Sequence, residues 1–194
     1  MNYPLQLSFK LMAMSPQVYV RDAAGQVRMY VKQKMFKLKE QITVFADEGQ
    51  TQPIYHIQAD RVIDFNARYN FTTTDGRAVG SVRRRGARSL LRAHYEVMQG
   101  EDVVLQIREM NPWTKVGDAL LSEIPVIGMF AGYLFHPAYT VTRADGTEVL
   151  RATKQPAMWE GKYAVEKKAE MSSEAEALGV LSLLMLLLLE RRRG

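Results

Sequence analysis

The sequence predicts a mainly β protein of the β+α kind. Its architecture is a closed antiparallel barrel of roughly twelve strands around a central, C-terminal hydrophobic helix. Three observations predict it. Apolar and polar residues alternate with a period of two through most of the chain. Glycine-bearing turns separate the alternating runs. Residues 177–189 are then apolar on every side, interrupted only by the small Gly179 and Ser182. A helix without a polar face has to be enclosed. Those thirteen residues rise about 20 Å, too little for a hydrocarbon core of about 30 Å, so the enclosure is protein.

The strands follow in order. One falls within residues 4–14 and four within 17–59. There Val18 and Val20 alternate with Tyr19 and Arg21; Val27, Met29 and Val31 with Arg28, Tyr30 and Lys32; and Ile42 and Val44 with Thr43 and Phe45. Four more fall within 67–110, carried by Ala67, Tyr69 and Phe71, by Ala93, Tyr95 and Val97, and by Val103, Leu105 and Ile107. Three fall within 138–169. Apolar positions point inward and polar ones outward. Asp75-Gly76 and Asp145-Gly146 mark hairpins, and Gly25, Gly49 and Gly100 serve similarly. The stretch from Tyr69 to Gly76 recurs from Tyr139 to Gly146, 70 positions on. A fainter copy starts at Tyr19 and runs through Gly25. Each full copy reads as two hairpins joined by a longer loop.

The helix is expected over about 173–190. Ser173 and Glu176 have capping-box spacing, and Glu174 and Glu176 suit its positive end. Arg191, Arg192 and Arg193 suit the negative end and need water, so one mouth of the container is open. A tail anchor, with these arginines at a membrane face, is the rival reading. Eight strands are filled by their own side chains, whereas a helix about 10–12 Å across needs a wider barrel. Twelve strands and one apolar helix therefore account for each other. Pro112 opens a short helix to Leu121, and the Gly-punctuated apolar segment from Ile124 to Phe135, with Gly128 and Gly132, reads as a connector across a barrel mouth.

The chain has 194 residues, of which 24% are charged and 47% hydrophobic. This suits one domain over residues 1–194. A net charge of +5 favours an anionic partner. Without cysteine there is no disulfide, thiol nucleophile or thiolate metal site. The first ten residues lack the basic start and apolar core of a secretory leader, which predicts a cytoplasmic protein, peripheral to the membrane where it binds lipid.

Certain residues then resemble a known family. They are Val18 to Asp22 with Gly25; Lys34 to Val44; Tyr69 to Gly76; Asn111-Pro112-Trp113; Pro137 to Tyr139; and the closing Leu-rich helix. Together they resemble the LURP-one-related branch of the superfamily that also holds Tubby C-terminal domains and phospholipid scramblases. The resemblance covers nearly the whole chain. It implies the barrel around a C-terminal helix, and a non-enzymatic role among membrane-tethered regulators or lipid movers. Scramblase relatives carry a cysteine cluster and a proline-rich extension, which this chain lacks. Tubby relatives bind phosphoinositide headgroups through basic side chains, here without a residue-for-residue match.

The densest basic stretch is Arg83, Arg84, Arg85, Arg88 and Arg92, expected just after a strand in the loop joining two hairpins. Arginine forks hold phosphates bidentately. Lys32, Lys34, Lys37 and Lys39 occupy the equivalent loop of the first copy. Lys37 and Lys39 join the five arginines as candidate anion or lipid-headgroup residues, against the alternative of a solvated loop paired with nearby carboxylates. His56, His94 and His136 lack ligand spacing, and the first two read as outward strand residues. No nucleophile elbow or phosphate loop occurs. The sequence thus predicts no catalytic residue, no metal, no cofactor, no nucleic-acid partner and no transmembrane span. It leaves three functions: docking on anionic membranes or phosphoinositides through a basic loop; a protein-interaction or regulatory module with a protein partner; and scramblase-like activity or carriage of a small apolar ligand.

Overall fold

Three hairpins of the barrel are built on the same turn, and that turn sets the architecture. The computed structural model describes residues 1–10, 17–32, 41–61, 67–85, 93–110, 138–156 and 160–191. Gly25, Gly76 and Gly146 have φ of 78°, 84° and 86°. Each donates its amide to the carbonyl three residues back, on Asp22, Thr73 and Arg143, at 2.8, 3.0 and 3.0 Å. The ladder slips by one residue just before each turn, at Val20/Arg21, Phe71/Thr72 and Val141/Thr142. This is a three-residue hairpin whose left-handed glycine forms a bulge.

The strands are β1 (Leu5–Lys10), β2 (Gln17–Arg21), β3 (Val27–Lys32), β4 (Ile42–Phe45), β5 (Pro53–Ala59), β6 (Arg68–Thr73), β7 (Ala78–Arg84), β8 (His94–Gln99), β9 (Asp102–Glu109), β10 (Ala138–Arg143), β11 (Glu148–Gln155) and β12 (Glu160–Lys167). Each pairs antiparallel with the next, and β1 pairs with β12 to close the barrel. The three copies thus complete themselves: β2 to β5, β6 to β9, and β10 to β12 with β1 as fourth strand. Closure leaves no free sheet edge.

Helix α1 (Ser173–Arg191) runs through the barrel. Leu178, Val180, Leu181 and every residue from 183 to 188 are buried among inward residues of the strands. Ser182 is fully buried, and its hydroxyl donates to the Leu178 carbonyl at 2.7 Å. A polar group is tolerated there because the helix's own backbone satisfies it. The cap lies one residue earlier than the sequence suggests. Ser172 Oγ accepts the Ala175 amide at 3.2 Å, the bond an N-cap makes with the third helical residue. Glu176 is freed from capping and turns inward, with Oε1 3.1 Å from the Met1 amino nitrogen. Burial, and then the Glu176 carboxylate, raise the Tyr3 hydroxyl well above its ordinary range.

Alternation separates inner from outer wall, not dry from wet. Ser8, Tyr19 and Tyr30 occupy outward positions on β1, β2 and β3 and are all buried, with the two tyrosine rings 4.9 Å apart. On the inner wall, Gly80 (φ 154°) lies against Leu178 of the helix. A Cβ there meets the Met98 carbonyl at 2.5 Å and Leu178 Cδ1 at 2.7 Å. Gly80→Ala is therefore expected to destabilise by about 1–3 kcal/mol through overpacking, read as a lowered midpoint in urea. An unchanged midpoint means that the helix does not press on β7. The short helix expected from Pro112 and the apolar segment to Phe135 lie outside the described residues.

Candidate functional site: the basic end of the barrel

Antiparallel connection sorts the chain to two mouths. The hairpin turns after β2, β4, β6, β8 and β10 lie at one mouth. There α1 begins, and Ser173, Glu174 and Ala177 line a cleft of about 420 Å³ with Tyr55, Thr73, Arg77 and Gln99. The other mouth carries the opposite strand ends: Lys32 with Ile42, Arg84 with His94, Glu109 with Ala138, and the last turn of α1.

The turn mouth holds four constrained aspartates. Asp22 is buried, which by itself raises its carboxyl. The bonds it accepts from Arg28 Nε at 2.8 Å and from the Gln26 and Ala24 amides at 3.0 Å outweigh that, so it titrates below the usual range. Amides of Thr51 and Gln52 lower Asp47, and that of Thr147 lowers Asp145. The Thr73 hydroxyl lowers Asp75. A depressed carboxylate stabilises the fold above its unfolded pKa, and that contribution is lost as pH falls through the folded value. Urea midpoints are thus expected to stay level above about pH 5 and to fall below about pH 4. Asp47→Asn should shrink that fall; an equal fall in the variant refutes the assignment.

At the opposite mouth the sequence candidates separate. Arg83 and Arg84 belong to β7, which runs further than the sequence suggests, because both pair across to β8, Arg83 with Glu96 and Arg84 with Tyr95. Arg84 points inward, is buried, and holds its guanidinium 5.7 Å from the centre of the Tyr95 ring. Arg83 and Arg85 point outward and share one carboxylate. Arg83 Nε and Nη2 lie 2.9 and 2.8 Å from Glu96 Oε2, and Arg85 Nε lies 3.5 Å from Oε1. Two cations facing one anion leave one net positive charge. Arg88, Arg92, Lys37 and Lys39 lie outside the described residues, as do Lys34, His136, Arg192 and Arg193. The residues flanking them, Lys32 and Gln41, Arg85 and Ala93, and α1's last turn, meet at this one mouth.

Sequence reasoning missed Glu96 and Arg108. Neither stands in a charged run. Strand register is what brings them in: Glu96 opposes Arg83 in the β7–β8 ladder, and Arg108 opposes His94 in the β8–β9 hairpin that turns at Gly100. His94 does face outward, yet it is half-buried, and its Nε2 is buried without a hydrogen-bond partner. His56 bonds across the sheet to Thr43 Oγ1 at 3.4 Å. Among the described residues there is no cluster of three or more metal-ligating side chains. Among them, too, no helix is long and apolar enough to cross a membrane.

These features define a β-barrel protein organised on a central hydrophobic helix, with one basic mouth. The chain belongs to the LURP-one-related family, whose model matches residues 27–166. It is also similar to the X-ray structure of a protein from Arabidopsis thaliana, at 12% identity and a TM-score of 0.48, covering 98% of this chain and 92% of that one. No curated protein matches it.

Proposed function

We propose that this LURP-one-related protein is non-enzymatic and docks on anionic membrane surfaces, phosphoinositide-bearing ones included, with the basic mouth of its barrel. The observation that carries this reading is convergence. Strand ends flanking both basic stretches meet the last turn of α1 at one mouth, while the turn aspartates gather at the other. Such a charge axis orients the barrel on an anionic leaflet, where each basic residue near the surface contributes about 1 kcal/mol. Arg83 and Arg85 on the outer wall, with Arg88, Arg92, Lys37 and Lys39 in the flanked segments, are the contact residues. Arg84 supports them from inside, against Tyr95.

The test is co-sedimentation with phosphatidylcholine vesicles with and without 20–30% phosphatidylserine or phosphoinositide, across a salt series. Docking predicts binding to the anionic vesicles alone, weakening as salt rises. Equal binding to neutral vesicles, or none to either, removes this reading and leaves a protein-interaction role.

A further inference from the structure

A narrower site lies on the outer wall beside that mouth. Three residues form a row across adjacent strands. The Arg85 amide donates to the His94 carbonyl at 2.9 Å, and His94 sits opposite Arg108 in the β8–β9 ladder. Their neighbours Arg84, Tyr95 and Ile107 are buried in the opposite direction, so the three side chains share the outer face. The charge here is poorly compensated. Arg108 Nη2 bonds the neutral Gln106 Oε1 at 2.8 Å and has no carboxylate partner among the described residues. Among the described residues, Arg85 reaches only Glu96 Oε1, at 3.5 Å, while Arg83 holds the other oxygen of that carboxylate at 2.8 Å. Between the two arginines stands an imidazole whose Nε2 is buried and unpartnered. A buried polar atom without a partner is uncommon in a folded protein.

We propose that Arg85, His94 and Arg108 bind a phosphomonoester group, with His94 taking up a proton from water as the dianion arrives. The inference rests on the docking reading, whose surface it narrows to one headgroup chemistry. Two guanidinium forks and an imidazolium supply donors to the three terminal oxygens of a phosphomonoester. The second negative charge is what selects it over a diester. The groups facing His94 are Arg85 from the β7 side, Arg108 and the Gln106 amide from β9 and Glu96 on its own strand, with neutral Thr140 beyond Arg108. Burial first, then Arg108 and Arg85, outweigh the opposing Gln106 hydrogen bond and Glu96 charge and hold its pKa below the ordinary histidine value, which favours the neutral ring. A dianion set between the three reverses that balance.

The test is NMR of the histidine Cε1–H groups in the full chain, titrated from about pH 5 to 8 in inorganic phosphate and in chloride of equal ionic strength. Phosphate is expected to raise the His94 midpoint by about one unit, which by linkage is tenfold tighter binding to the protonated form. His56 should stay put, and Arg108→Gln, an exposed change, should cancel the shift. An equal His94 midpoint in phosphate and chloride overturns the inference, even where vesicle docking survives. A shift without vesicle binding supports the site and assigns it a soluble phosphomonoester, while docking fails. For a lipid source, vesicles with phosphatidic acid should outbind those with phosphatidylserine at matched charge, and His94→Gln should abolish the preference. Docking on both lipids alike, with a phosphate shift in solution, again supports the soluble source.

Discussion

Leu184→Asp is expected to leave the protein unfolded. Leu184 is fully buried in the middle of α1. The helix around it, from Leu181 to Leu188, offers the hydroxyl of Ser182 alone, and that is already committed to the Leu178 carbonyl. A carboxylate placed there must stay charged without a partner or take up a proton, and either costs several kcal/mol. The cavity left by the lost methyl groups adds to it. The total approaches the 5–15 kcal/mol typical of a whole domain. Leu184→Met keeps the volume and should cost less than about 1.5 kcal/mol. Leu184→Ala should fall between, at about 2–5 kcal/mol. Circular dichroism melts and limited proteolysis of the three variants give the order. A soluble Leu184→Asp protein with the parent midpoint means that α1 is not enclosed.

The fold was largely legible because its two strongest signals are local. Period-two alternation and a left-handed glycine are both written within a few neighbouring residues, and each fixes a strand or a turn by itself. Their recurrence at Gly25, Gly76 and Gly146 fixed the count as well. The helix was legible for the opposite reason: an apolar surface with no polar face demands a container, whatever its details. What local pattern cannot carry is pairing. That Leu5 opposes Val165, so that the first strand completes the last copy, follows only from closure. That Tyr19 and Tyr30 are buried on the outer wall depends on what covers them, not on their own spacing.

The candidate site was legible only as a run of arginines. Sequence treats Arg83, Arg84 and Arg85 as equivalent. The pleat makes them different: the middle one goes inward to Tyr95, and the outer two turn to Glu96. The carboxylate that ties them lies eleven positions beyond Arg85. No composition count near Arg83 reveals it.

That carboxylate makes the docking reading sharply testable. Arg83→Ala with Arg85→Ala removes two cations from the outer wall. At about 1 kcal/mol each, partition onto anionic vesicles should weaken by about thirtyfold. The Glu96 charge left without its arginine partners repels the leaflet, so the loss should be no smaller than that. Glu96→Gln acts in the other direction. It keeps the shape of the side chain, frees both guanidinium groups, and adds one net positive charge, so vesicle binding should strengthen by about fivefold. Arg84→Ala serves as the internal contrast. Its guanidinium is buried, so its loss should lower the melting midpoint and leave vesicle affinity within about twofold. A solvated basic loop with no lipid role predicts otherwise: all three variants bind vesicles as the parent does. If Glu96→Gln and the double alanine variant move affinity in opposite directions, with Arg84→Ala silent, the contact face is the outer wall of β7. If Arg84→Ala moves affinity most, binding runs through the barrel mouth itself, and the side chains lining it replace the outer wall as the docking residues.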